Sequence, residues 1–340
     1  MNPVALETIA RRLVAPGKGI LAADESTPTI QKRFEAIGVD STEETRRVYR
    51  ELLFTTAGVE AFISGVILFD ETLRQTAADG RPFPQLLDQK GILAGIKVDK
   101  GAKALAGFEG EKVTEGLDGL RERLQAYHGL GARFAKWRAV IAIGAGRPSH
   151  CCLSVNAHAL ARYAALCQEA GLVPIVEPEV LMDGAHPIER CRDVTAAALQ
   201  SLFEALFDHC VSLEGLLLKP NMVVSGKDCP TQAGVAEVAR ATVRCLRQVV
   251  PAAVPGIVFL SGGQSSELAT AHLNAMNAMG PHPWELSFSY GRALQEQPLK
   301  AWQGKPAKLA AAQQRFFRRA QLNSAARFGN YTTAMESEAV

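Results

Sequence analysis

Three lysines, two glutamates and an aspartate stand where short apolar runs of the chain end, and together those residue types are the working parts of imine chemistry. Asp24 follows the run Gly19–Ala23, and Lys97 lies at the end of Ile92–Val98. Lys136 and Arg138 flank Trp137, Glu177 and Glu179 flank Pro178, and Lys219 closes Gly215–Lys219. Side chains alternate along a strand, so the pairs Lys136/Arg138 and Glu177/Glu179 each share a face. A retro-aldol cleavage leaves an electron pair on carbon, which a protonated iminium accepts far better than a ketone does. Lysine attacks a carbonyl only as the neutral amine, a form that a neighbouring cation and partial desolvation both favour. A carboxyl group such as Glu177 or Glu179 can carry protons while the carbinolamine forms and dehydrates. One charged residue at a strand end is ordinarily solvated or ion-paired at the surface. Its recurrence along the chain points instead to a shared pocket.

A second set of residues could hold phosphate. Ser261-Gly262-Gly263 and Ser289-Tyr290-Gly291-Arg292 follow or close the last two apolar runs. Glycine permits close backbone approach, free N–H groups and hydroxyls suit phosphate oxygens, and arginine grips them bidentately. Gly144-Ala145-Gly146 lacks the third glycine of a dinucleotide fingerprint and reads as a loop.

These residues need a frame that gathers strand ends. The runs Gly19–Ala23, Ile63–Phe69, Ile92–Val98, Ala132–Trp137, Leu172–Val176, Gly215–Lys219, Gly256–Leu260 and Trp284–Ser289 read as eight strands separated by helical segments. No linker divides them, so residues 1–340 read as a single domain of the α/β class, a closed (β/α)₈ barrel of the TIM type. An open doubly wound sheet has the same local rhythm. In a barrel, catalytic groups lie at the carboxyl ends of the strands and phosphate sits in the last two loops, as these residues would. Ser41-Thr42-Glu43-Glu44 has the capping-box pattern and predicts a helix start, and Val235, Val238, Thr242 and Leu246 share one helical face. A helical region is expected after Lys305, and residues from about 330 to 340 read as a mobile tail.

Composition narrows the partners. The chain has 47% hydrophobic and 21% charged residues, enough to bury a large core. A balance of 37 basic and 35 acidic residues, without a basic block, argues against nucleic acid. No apolar stretch approaches the roughly 20 residues that cross a bilayer, and Glu7, Arg11 and Arg12 fall where a signal peptide needs apolar residues. The expectation is a cytoplasmic protein without a membrane partner. Seven cysteines, without CxxC pairs, read as reduced and mostly buried thiols. The seven dispersed histidines give a zinc site little support, so no metal or other cofactor is expected.

The segments that carry these residues closely resemble the class I fructose-1,6-bisphosphate aldolases. They are Gly-Lys-Gly-Ile-Leu-Ala-Ala-Asp-Glu-Ser around Asp24, Gly-Ile-Lys-Val-Asp-Lys-Gly around Lys97, Phe-Ala-Lys-Trp-Arg around Lys136 and Pro-Ile-Val-Glu-Pro-Glu around the glutamates. Leu-Leu-Lys-Pro-Asn-Met around Lys219, Phe-Leu-Ser-Gly-Gly-Gln and Ser-Phe-Ser-Tyr-Gly-Arg-Ala-Leu complete the series, which runs in order from about Ile9 to Tyr331. The resemblance implies that Lys219 forms a Schiff base with the ketone carbon of fructose 1,6-bisphosphate and that Glu177 is the main acid/base group. Asp24, Lys136 and Glu179 would support proton transfer and orientation. One phosphate would fall to Ser261, Gly262, Gly291 and Arg292, beside Gly263 and Ser289, and the other to Ser26, Lys97 and Arg138. Products would be dihydroxyacetone phosphate and glyceraldehyde 3-phosphate, and the assembly a homotetramer.

Two departures from the family pattern stand out. Pro28-Thr29 replaces a Gly-Ser, so Thr29 must take the place of a serine at the distal phosphate. Many relatives also end in a longer tail whose terminal tyrosine helps protonate the enamine, whereas this sequence ends at Val340. Slow enamine protonation or another donor is the expectation. Rival readings are a Schiff-base lyase or transferase acting on a monophosphate or deoxy sugar, a non-catalytic scaffold, and a metal-dependent aldolase.

Overall fold

The computed structural model of the protein describes residues 3–337. Among the described residues ten strands occur in chain order: β1 (Gly19–Ala23), β2 (Ile63–Leu68), β3 (Leu93–Lys97), β4 (Ala102–Ala104), β5 (Lys112–Thr114), β6 (Phe134–Ile141), β7 (Val173–Val180), β8 (Leu217–Leu218), β9 (Gly256–Phe259) and β10 (Glu285–Tyr290). Eight of them close into a parallel barrel in the order β1-β2-β3-β6-β7-β8-β9-β10, while β4 and β5 form a separate antiparallel pair. Closure is made by β1 against β10, with Ile20 opposite Ser289 and Leu21 opposite Tyr290. That closure rules out the open sheet, because no strand edge is left in the barrel.

Covering both faces explains why the runs are apolar throughout rather than alternating; every residue of β1, β2 and β7 is buried. One cluster fills the barrel interior: Ile20, Ala22, Ile67, Leu93, Phe134, Val173, Ile175, Leu217 and Val258. Leu6, Ala10 and Leu13 of the helix Pro3–Leu13, together with Val14, plug its lower end. Phe134 fits because the facing position on β3 is glycine; a methyl at Gly95 would overlap its ring. A second, larger cluster lies between strands and helices. Each of these buried Leu, Ile or Phe side chains stabilises the fold by roughly 1.5–3 kcal/mol. The interior filling keeps the polar strand residues to the upper end.

Strand boundaries move where polar residues are recruited. β6 runs beyond Trp137 to Ile141 and β7 beyond Val176 to Val180, so Arg138, Glu177 and Glu179 lie within the sheet. Their registers pair Arg138 with Glu177 and Val140 with Glu179. β8 is shorter than its apolar run, but the Lys219 amide still donates to the Val176 carbonyl at 2.8 Å and continues the ladder by one residue.

The capping box differs from the expected pattern by one residue. Thr42, not Ser41, caps the helix Glu43–Thr55: its hydroxyl accepts from the Thr45 amide, and the Thr45 hydroxyl, not Glu44, accepts from the Thr42 amide. The Ser41 carbonyl and hydroxyl are instead taken by Arg46, which Glu71 holds from the other side. Val238, Thr242 and Leu246 are buried on one face of the helix Val235–Val249, as their spacing implied, whereas Val235, grouped with them, opens the helix and is only half-buried. A helix spans Leu309–Arg327. Of the tail read as mobile, residues 330–337 are described; they are anchored at a few points, while residues 332–334 are exposed. Tyr331 is buried, Thr333–Glu336 form a 3₁₀ turn, and Glu336 pairs with the buried Arg319 at 2.6 Å. Val340 and its two predecessors lie outside the described residues. Four of the seven cysteines are buried, and all are free. Among the described residues no helix is long and apolar enough to cross a membrane.

Candidate active site

A cleft of about 1040 Å³ opens at the carboxyl ends of the barrel strands, and all fifteen residues singled out from the sequence line it. Lys136 rises from β6 at its centre. Its Nζ lies 2.8 Å from Asp24 Oδ2, 3.3 Å from Glu177 Oε2 and 4.0 Å from Asp99 Oδ2. Lys219, one residue beyond β8, places its Nζ 3.2 Å from Glu177 Oε1. Glu177 therefore bridges the two lysines, one oxygen to each. No donor is aligned for a hydrogen bond on its Oε2, although the atom is buried.

Electrostatics fix the charge on Lys136. Burial opposes the charge on Lys136, but Asp24, Glu177 and Asp99 outweigh it and raise the amine well above its ordinary value. Lys136 is thus a fixed cation and no nucleophile. Burial would raise Asp24, yet Lys136, Lys219 and Lys97 overcome it and hold the carboxyl down at about 2. Lys219 has one carboxylate, Glu177, within 4.0 Å among the described residues.

The two candidate phosphate sets differ in place: one follows β9 and β10, and the other comes from β3 and β6 across the barrel and from the end of β1 beside β10. In the first, Gly262 and Gly263 both take positive φ, 56° and 88°, which a side chain would strain. Gly291 precedes the helix Arg292–Trp302, so free amides of its first turn face the cleft, and Arg292 is exposed without an ion pair among the described residues. Ser289 is buried with its hydroxyl unpartnered. In the other set, Lys97 is held by Asp99 at 2.8 Å and Arg138 by Glu179. Burial opposes the Arg138 charge, but Glu179 and Glu177 raise it, so it is a permanent cation. Ser26 caps the helix Thr27–Glu35 with no side-chain cap bond; its hydroxyl is 3.1 Å from that of Thr29. Pro28 sits in the first turn, where its fixed φ is tolerated at the loss of one amide donor.

Two features were missed in the sequence. Asp99 follows Lys97 at the same i, i+2 spacing that marked Lys136/Arg138, and that spacing could have found it. Glu25, next to Asp24, receives Arg50 at 2.8 Å, Arg33, and Gln295 at 2.7 Å. Arg50 and Gln295 also bond the carbonyls of Ala23 and Ala22, fixing the end of β1 from two distant helices. Nothing local in the sequence signals that convergence.

A closed parallel barrel whose upper mouth sets one lysine against a carboxylate, beside a fixed cation and two groups of residues suited to anions, is the arrangement of a Schiff-base-forming barrel enzyme. Comparison with known proteins narrows the class. A family model described as fructose-bisphosphate aldolase class-I matches residues 5–340. A probable fructose-bisphosphate aldolase class 1 from Xanthomonas campestris pv. campestris is 60% identical, over 97% of this chain and 99% of that one. Fructose-bisphosphate aldolase 5, cytosolic, of Arabidopsis thaliana is 57% identical, over 95% and 90%. The crystal structure of fructose-bisphosphate aldolase from Plasmodium falciparum, in complex with TRAP and a small-molecule inhibitor, superposes with a TM-score of 0.96. It is 52% identical and covers 97% of this chain and 96% of that one. The chain belongs to the class I fructose-bisphosphate aldolase family.

Proposed function

We propose that Lys219 is the nucleophile and Glu177 the proton carrier in the reversible cleavage of fructose 1,6-bisphosphate to dihydroxyacetone phosphate and glyceraldehyde 3-phosphate, a lyase reaction of glycolysis and gluconeogenesis. One observation carries the assignment: Glu177 bridges Lys219 and Lys136, while Lys136 is neutralised by Asp24. Neutral Lys219 adds to the ketone carbon, and Glu177 donates the proton with which the carbinolamine loses water. The bond between the third and fourth carbons then breaks, its electron pair moving into the iminium to give an enamine. The hydroxyl on the fourth carbon gives its proton to a carboxylate, and the aldehyde leaves. Protonation of the enamine and hydrolysis release the ketone product and restore Lys219.

Lys136 stays charged throughout and stabilises the anionic oxygens that develop beside it, with Asp24 fixing its position. Glu179 orients Arg138. The glycine loop and Arg292 hold one phosphate; Ser26, Thr29, Lys97 and Arg138 hold the other, with Lys97 and Arg138 exchanging their carboxylates for the ligand. A second cationic set favours a bisphosphate over a monophosphate. The name of the Arabidopsis relative supports a cytosolic location, and family resemblance supports a homotetramer.

The test is to incubate the protein with fructose 1,6-bisphosphate, reduce with borohydride and map the modified peptide by mass spectrometry. Substrate-derived mass on Lys219, absent from Lys219→Ala, is the expected outcome. Turnover without an adduct would remove the Schiff base from the mechanism.

A further inference from the structure

The phosphate loop is held from behind by a buried polar relay that the reaction itself does not use. Gln264 follows Ser261-Gly262-Gly263, and its side-chain nitrogen donates to the Ser261 carbonyl at 2.9 Å, beside the backbone bond from its own amide at 3.0 Å. Its oxygen lies 2.6 Å from Nδ1 of His272, on the helix Ser266–Asn277. Because the amide nitrogen is spent on a carbonyl, the amide oxygen must accept, which puts the histidine proton on Nδ1. His272 is only 2% exposed, and its Nε2 is buried without a partner. Burial pushes the imidazole down to about 4, so the ring is neutral and its single N–H is committed to Gln264.

The geometry points to Gln264 and His272 as positioning residues for the phosphate loop: His272 fixes the Gln264 amide, and Gln264 fixes the Ser261 carbonyl. This rests on the proposed phosphate role of that loop. A peptide unit carries its carbonyl and the next N–H on opposite sides, so a carbonyl drawn back towards the helix turns the Gly262 amide away from it, into the cleft. Two successive glycines at positive φ have little steric preference of their own and would otherwise sample several orientations. The relay stores the ligand-ready loop before any phosphate arrives, which reduces the ordering cost of binding.

The experiment measures binding of a hexitol 1,6-bisphosphate by titration calorimetry. This ligand has no carbonyl and forms no imine, so its affinity reports the loop independently of Lys219. His272→Leu and Gln264→Leu should each weaken it by about three- to tenfold, the loss of one or two oriented hydrogen bonds. With fructose 1,6-bisphosphate the same variants should raise KM and change kcat little. His272→Asn, whose side-chain amide can donate from nearly the place of Nδ1, should restore affinity towards that of the parent. Unchanged affinity in folded Gln264→Leu would overturn the proposal, and so would a His272→Asn protein as weak as His272→Leu. If His272→Leu does not fold, the Gln264 variant and the asparagine rescue decide. Tight binding of the hexitol without a borohydride adduct from fructose 1,6-bisphosphate would refute the imine mechanism while the relay stands or falls on its own affinities.

Discussion

At the scale of the residue, the site works by giving similar groups unlike surroundings. Lys136 meets three carboxylates within 4.0 Å and is locked as a cation, whereas Lys219 meets one. Asp24 is held at about 2 against an ordinary 3.8. A carboxyl depressed in the folded state contributes stability that is fully present above its unfolded value and is lost as pH falls through its folded value. Asp24→Asn should therefore unfold more easily in urea at pH 6, by about 2 kcal/mol, with the difference from the parent closing between about pH 4 and pH 2. A difference that stays constant over that range would show that the lysines do not set the Asp24 titration. The convergence of Lys219, Glu177 and Asp24 on one cleft was legible in the sequence because each interrupts or ends an apolar run. Asp99 was passed over, although it follows Lys97 at the i, i+2 spacing that marked Lys136/Arg138.

At the scale of the element, strand ends deliver side chains and helices hold the strand ends still. The carboxyl end of β1 is tied by Glu25, Arg50 and Gln295, contributed by three separated segments. Arg50 is 1% exposed, and removing its carboxylate leaves a buried charge unpaired. Glu25→Gln is expected to destabilise the protein by about 3 kcal/mol in urea unfolding, with a larger loss than Glu44→Gln, whose pairing with Arg47 is at the surface. All eight strands were legible as apolar runs, since a sheet covered on both faces needs no alternation. The limits of β6, β7 and β8 were not, because parallel pairing with a neighbour, rather than hydropathy, decides where a ladder stops. The helix cap was misplaced by one residue for a related reason: Arg46, anchored on Glu71, claims the serine that local pattern assigned to the cap.

At the scale of the whole molecule, the barrel mouth and the carboxyl-terminal segment are separate devices. No residue beyond Arg292 lines the cleft among the described residues. The segment after Tyr331 instead packs on the helix Leu309–Arg327, through Glu336 on Arg319 and Tyr331, and through the Met335 carbonyl on Arg318. Deleting residues 332–340 should leave turnover at saturating substrate nearly unchanged while lowering the melting temperature by several degrees, because the fully buried Arg319 loses its carboxylate. A large fall in turnover with unchanged melting would assign the segment to catalysis. The barrel was legible from the count of runs and the absence of a linker; the anchoring of this segment was not, since Arg319 and Glu336 read locally as ordinary surface charges.

The seam between β1 and β10 also sets the order in which the protein can come to life. Ile20 pairs with Ser289, and Arg327 reaches back to the carbonyls of Val14, Ala15 and Lys18. Asp24 belongs to the first strand to leave the ribosome and Arg292 to the end of the last, so no nascent intermediate owns a complete mouth. The loop entropy of joining such distant segments is spent in a late folding step. Until the seam closes, β1 and β10 are open edges that can pair with other chains. The join that completes the catalyst is thus also the one that ends its exposure to aggregation.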